Sequence, residues 1–138
     1  MKIFFDANVL IAAFISRGVC NELLDHCLAE HTICTSPQVL DELHRNLVKL
    51  GFTEMRAHEA EALVRENSAI ISPGSSPSRL CRDPDDDLIL AAAGAGHVDC
   101  LITGDQDILI LGAIQGIPIL KPADFWRFEK QKKRSQAG

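Results

Sequence analysis

The sequence predicts an α/β fold, a three-layer α/β/α sandwich built on a parallel sheet of about five strands. Three observations predict it. Short apolar runs alternate with stretches of helical periodicity along the chain. The first run, Lys2-Ile3-Phe4-Phe5, is apolar nearly throughout, as a strand buried on both faces requires. Strand-helix-strand order of this kind feeds right-handed crossovers into one parallel sheet.

The elements follow in order. After the first strand, Asp6-Ala7-Asn8 turns into a helix carrying Val9, Leu10, Ala13 and Phe14. Ser16-Arg17-Gly18 is a turn. Val19, Leu23, Leu24, Cys27 and Leu28 recur at helical spacing and define a second helix. Ile33-Cys34-Thr35 is a short strand. Ser36 then caps a helix with Pro37 at its first position, running through Val39, Leu40, Leu43 and Leu47 to Gly51. Thr53 caps another helix, and these two helices are expected as a pair standing off the sheet. Ala69-Ile70-Ile71 is a strand, and Pro73 to Ser78 is a loop by composition. Asp83-Pro84-Asp85-Asp86-Asp87 opens the Ala-rich helix of Leu88 to Ala95. Cys100-Leu101-Ile102-Thr103 is a strand, Gly104-Asp105-Gln106-Asp107 a turn, and Ile108 to Leu111 a short helix. Ile117 to Leu120 is a last strand, placed at an edge by Pro118. Pro122 begins a closing helix with Phe125, Trp126 and Phe128. The domain is read as residues 1–128, followed by a basic, disordered tail over 129–138.

Composition sets bounds. The chain has 138 residues, 46% of them hydrophobic, enough for a core of ordinary size. A net charge of −5 excludes a surface that is basic throughout. The five cysteines contain no C-x-x-C pair, so neither a disulfide framework nor a zinc ribbon fits. Cys20 and Cys27 share a helical face and read as thiols in a reducing compartment. No run approaches the ~20 apolar residues of a membrane span. A cytoplasmic location and no membrane partner are the expectations.

The chemistry lies in the acids. A carboxylate at the carboxyl end of a buried parallel strand points into the crevice where open α/β sheets bind ligands. Asp6 holds that position, and it also suits the N-cap of the helix it precedes. Asp105 stands just past another strand end. Glu42 lies close to the buried stripe of its helix, with Asp41 as the alternative inward acid. In the Asp83–Asp87 run, Asp83 suits the cap and the others complement the helix dipole. Asp87 shares a face with Leu90, Ala91 and Gly94, and is the member expected to point inward. Carboxylates gathered without a counter-charge repel one another. No arginine or lysine belongs to these motifs, so a divalent cation is the natural compensation. Oxygen ligands alone favour Mg²⁺ or Mn²⁺ over zinc.

Four segments in order carry a family resemblance: Phe5-Asp6-Ala7-Asn8-Val9-Leu10, Pro37 to Leu43, Asp83 to Ala93, and Leu101 to Asp107. Over about residues 1 to 128 the chain resembles the PIN (PilT N-terminal) domain nucleases, and among them the VapC-like toxins of toxin–antitoxin systems. The resemblance implies a PIN-like fold and a metal-dependent ribonuclease. It places the catalytic and metal-holding acids on Asp6, Glu42, Asp87 and Asp105, with Asn8, Thr103 and Asp107 in support. Mg²⁺ or Mn²⁺ would acidify a water for in-line attack on an RNA phosphodiester. Arg45, Lys49, Arg79 and Arg82 flank these segments and are candidates for RNA phosphates. An antitoxin protein is the implied partner, and a homodimer is expected through the closing aromatics. Two other readings compete. A haloacid-dehalogenase-like phosphatase requires an aspartate where Asn8 stands. A non-catalytic PIN-like module that binds RNA or a partner has no need of the full acid set.

Overall fold

The computed structural model describes residues 1–74 and 81–137. β1 is Lys2–Phe5, followed by α1 Ala7–Ile15, α2 Val19–Glu30 and β2 Thr32–Thr35. Next come α3 Pro37–Lys49, α4 Glu54–Glu66, β3 Ser68–Ile70, α5 Pro84–Ala95 and β4 Cys100–Ile102. The chain continues with α6 Gln106–Leu109, β5 Ala113–Ile114 and β6 Ile117–Leu120. It closes with a 3-10 turn at Pro122–Asp124 and α7 Phe125–Ala137.

The sheet has six strands in the order β3-β2-β1-β4-β6-β5, with helices flanking it. All pairs are parallel except β5 with β6. The five expected strands are therefore all present, and β5 is an addition. It exists because Gln115 and Gly116 both adopt positive φ, 51° and 79°. Two such residues close a tight hairpin that pairs Ile114 with Ile117. β6 is consequently not an edge strand, contrary to the expectation drawn from Pro118. The proline is tolerated because the register with β4 begins one residue later, at Leu101 with Ile119.

β1 lies at the centre, and Ile3, Phe4 and Phe5 are fully buried between helical layers. Helix starts follow the caps read from sequence. The Ser36 hydroxyl accepts from Val39 N–H, Thr53 from Arg56 N–H, and the Asp83 carboxylate from Asp85 N–H. α3 and α4 pack together as the expected pair. α3 is a core element, with Val39, Leu43 and Leu47 fully buried.

The C-terminal segment also differs from expectation. Residues 129 to 137 continue α7 rather than leaving as a tail, and Glu129 is buried. Phe125 and Phe128 belong to the core, while Trp126 is half-buried with its ring 4.8 Å from that of His26. Those aromatics do not form the exposed cluster on which the homodimer expectation rested. Most of the expected Pro73–Ser78 loop, and Arg79, lie outside the described residues. No single helix among the described residues is long and apolar enough to cross a membrane.

Phe4 is fully buried on the central strand, so Phe4→Ala should destabilise the fold by ~3–5 kcal/mol. Equilibrium urea unfolding measures the loss. A change below ~1 kcal/mol would show that β1 is not the centre of the core.

Candidate active site at the carboxyl ends of β1 and β4

The sheet order reverses at β1, which runs to β2 on one side and lies against β4 on the other. The crevice outside the carboxyl ends of these strands is where α/β sheets place ligands. Asp6 N–H donates to the Ile102 carbonyl at 3.0 Å, holding the two strand ends together.

Asp6 is buried, at 5% exposure, and both of its carboxylate oxygens are engaged. Oδ1 accepts from Ala7 N–H at 2.7 Å, which starts α1. Oδ2 accepts from the Thr103 hydroxyl at 2.8 Å and from Asn8 Nδ2 at 3.1 Å. Burial pushes the Asp6 carboxyl up from its usual range, and these hydrogen bonds together with the charge of Asp105 only modify that effect. Asn8 also binds across the crevice, its Oδ1 accepting from Gly104 N–H at 2.8 Å. Glycine fits this close approach: a Cβ at position 104 would lie 3.3 Å from Asn8 Oδ1. The Thr103 hydroxyl in turn accepts from Asp105 N–H at 3.1 Å. Asp105 Oδ1 accepts from Asp107 N–H at 2.8 Å and so caps α6.

The structure thus joins Asp6, Asn8, Thr103, Asp105 and Asp107 in one hydrogen-bonded network. Glu42, half-buried on α3, stands beside it. Its carboxyl is raised first by burial, then by the charges of Asp6 and Asp85, against the Gln38 amide bonded to it at 3.3 Å. Gln38 also donates to the Asp85 carbonyl at 3.1 Å, tying α3 to the first turn of α5. Asp41, the alternative acid on α3, is exposed and paired with Arg45 at 3.0 Å.

Asp87 is buried at 5% exposure, and its Oδ1 accepts from Cys81 N–H at 2.9 Å, anchoring the segment that leads into α5. The acid of α5 that groups with others is its neighbour. Carboxylate oxygens of Asp86, Asp105 and Asp107 lie within 4.8 Å of one another. Burial, and then Asp105 and the other carboxylates around it, push the Asp86 carboxyl up to about 7. Sequence reasoning had left Asp86 to the helix start. A signal existed: Ile89, Leu90 and Ala93, at offsets of three, four and seven from Asp86, are all buried. α5 is apolar around most of its circumference, so its phase alone could not separate Asp86 from Asp87.

Of the flanking cations, Arg82 is exposed and reaches Asp107 Oδ1 at 3.3 Å, a basic partner within the acidic edge that sequence reasoning did not anticipate. Arg45 and Lys49 are exposed on α3. A cleft of about 400 Å³ opens beside the acids, lined by Asn8, Val9, Ala12, Cys20, Gly104, Asp105 and Pro122. All five cysteines are free, with Cys27, Cys34 and Cys100 buried. The donor set at the crevice is entirely oxygen, and its grouped carboxylates repel one another. Such a set fits a hard divalent cation.

Residues 2–107 match the family model of the PIN domain. The chain belongs to the PIN-domain family. No curated protein matches the sequence. The PIN fold is shared with solved structures. The VapBC2 complex of Rickettsia felis, bound to a DNA fragment from its promoter, contains a chain 17% identical, with a TM-score of 0.64 over 88% of this chain and 98% of that one. A toxin–antitoxin complex from Klebsiella pneumoniae matches at 23% identity and a TM-score of 0.61, over 87% of this chain and 97% of that one. The PIN domain endonuclease Utp24 matches at 23% identity and a TM-score of 0.52, over 87% and 84%. At these identities the likeness is one of fold.

The elevated Asp86 carboxyl has a direct consequence for stability. An unfolded-state value near 3.8 against about 7 in the fold means that the folded PIN domain binds more protons across that window. Stability from this group is greatest below the window and falls as pH rises through it. In chelator, Asp86→Asn should therefore match wild type near pH 4 and exceed it increasingly toward roughly pH 8, read as melting temperature. A difference independent of pH would contradict the raised value.

Proposed function

We propose that this PIN domain is a divalent-metal-dependent endoribonuclease, the toxin component of a type II toxin–antitoxin system. The observation that carries the reading is the convergence of carboxylates from separate elements on the crevice at β1 and β4. Asp6 follows β1, Glu42 comes from α3, Asp86 from the first turn of α5, and Asp105 and Asp107 from the turn after β4.

In this reading Asp6, Glu42, Asp87 and Asp105 hold Mg²⁺ or Mn²⁺, and Asp86 and Asp107 complete the oxygen lining. When bound, the cation supplies charge stabilisation at the phosphoryl group and acidifies water for attack. The chain's residues supply the rest. Thr103 and Asn8 hold Asp6 in one orientation, and Gly104 admits Asn8 to its place. Glu42, its carboxylate held by the Gln38 amide, would orient water at the site. Arg82, Arg45 and Lys49 attract the phosphates of the approaching strand, and Arg79 is a fourth candidate.

The phosphatase reading needs an acid at position 8. Asn8 instead spends its carbonyl on Gly104 N–H and its amide on Asp6. An antitoxin partner extends the proposal, in keeping with the toxin–antitoxin complexes that share this fold. Homodimerisation extends it too. Exposed apolar side chains available to such partners include Ile15, Val19, Met55, Leu63 and Ile110. A cytoplasmic site of action is part of the same reading.

Single-stranded RNA incubated with the purified chain and Mn²⁺ should be cut internally, and chelator should stop the cutting. Asp6→Asn should lower kcat/KM at least ~10²-fold, since each factor of ten is about 1.4 kcal/mol of lost stabilisation. RNA left intact by wild type at millimolar Mn²⁺ would refute the enzyme.

Thr103→Val keeps the shape of the side chain and removes the bond to Asp6. It should weaken Mn²⁺ binding ~10–100-fold, as loss of a group that orients a ligand does. The shift of melting temperature with Mn²⁺ concentration measures this. An unchanged shift would remove Thr103 from the site.

A further inference from the structure

Away from the carboxylates, at the end of the sheet where β1 and β2 begin, the protein carries a donor set of a different kind. His26 lies on α2, His31 between α2 and β2, and Glu129 on α7. The Nε2 atoms of His26 and His31 each stand 2.6 Å from the same oxygen, Glu129 Oε2. Candidate ligand atoms of all three residues fall within 4.8 Å of one another. The side chains of His31 and Glu129 are 7% and 9% exposed, and that of His26 is 26% exposed.

We propose that His26, His31 and Glu129 form a second metal site, selective for a borderline transition cation of the zinc class, which fastens α7 to the body of the protein.

The donor types carry the choice of ion. Two imidazole nitrogens and one carboxylate suit zinc, cobalt or nickel, whereas the all-oxygen crevice suits magnesium or manganese. Pre-organisation supports the site. The His26 ring packs on Trp126 with centroids 4.8 Å apart, and the His31 ring packs edge-on to Phe125 at 5.7 Å. Both imidazoles are thereby aimed at one point by aromatic neighbours, as ligand rings must be. The exposed edge of His26 provides entry and leaves a fourth position for water.

The present contacts are hydrogen bonds, and a cation would replace the protons in them. Ligand atoms around tetrahedral zinc are about 3.3 Å apart, so the nitrogen–oxygen pairs must open by about 0.7 Å. Rotation of the half-exposed His26 and of Glu129 supplies this. The proton on each Nε2 leaves as the metal enters: the neutral His26 ring carries it on Nδ1 instead, a protonated ring gives one to solvent, and His31 Nδ1, which faces the Met1 ammonium at 3.3 Å, takes it up as that ammonium releases a proton to solvent. Without metal the same residues form a plain ion-pair clasp, and the experiment distinguishes the two.

Co²⁺ is titrated into the full chain in excess Mg²⁺, which occupies the oxygen-lined crevice, and visible absorption is recorded. One Co²⁺ per chain is expected, with the intense bands of a four-coordinate site, displaced by Zn²⁺. His26→Ala and Glu129→Gln should each weaken Co²⁺ binding at least ~10²-fold, while Asp6→Asn leaves it unchanged. Absence of four-coordinate bands from the wild-type spectrum overturns the proposal. So does their persistence in folded His26→Ala, or their loss in Asp6→Asn. His44→Ala should keep the bands, which separates this site from His44, His58 and Glu61, whose ligand atoms also group; their loss in that variant likewise overturns the proposal.

Discussion

Asp6 is a carboxylate held out of water between two strand ends, and the arrangement of the reactive edge follows from how it is held there. Its backbone joins β1 to β4, one of its oxygens begins α1, and the other receives Thr103 and Asn8. A buried carboxyl is tolerated when its oxygens are hydrogen-bonded. The two side chains that satisfy Oδ2 are themselves fixed by the turn after β4: Asn8 by Gly104, and Thr103 by Asp105. Loss of any one of them loosens the others.

Capping and chemistry are not alternatives at this edge. Asp6 and Asp83 were legible as N-caps and do cap helices, and Asp105, read only as a turn residue, caps one as well. A carboxylate has two oxygens, and a cap needs one. Asp6 gives Oδ1 to the helix and keeps Oδ2 within the crevice. Asp105 likewise gives Oδ1 to Asp107 N–H while its charge still acts on Asp86 and Asp6. The helix starts thus bring acids to the crevice at positions where acids are locally favoured.

Much of the fold was legible because its five parallel strands are short apolar runs between helical patterns, and buried parallel strands leave that mark. β5 was not, since two residues make no run and Gln115-Gly116 is not a usual hairpin signal. α7 was misread beyond Phe128 because the charged stretch that follows looks like a solvated tail. Only a tertiary partner, the histidine pair facing Glu129, shows that its first acid is buried. The candidate site was legible at Asp6, Glu42 and Asp105 through strand ends and helix phase. It was incomplete at Asp86, because a helix buried on most sides does not reveal which of two adjacent acids turns toward a neighbouring loop. The pairing of Arg82 was similarly hidden, since its partner Asp107 lies 25 positions further along the chain.

The bond between Thr103 and Asp6 spans 97 positions of the chain. A ribosome therefore makes Thr103 long after Asp6. β1 can pair with β2 early, but its other side stays open until β4 arrives. A nascent or truncated chain carries acids with no assembled edge, and it exposes a strand that ought to be central. Competence and protection from aggregation are reached together, when β4 closes against β1.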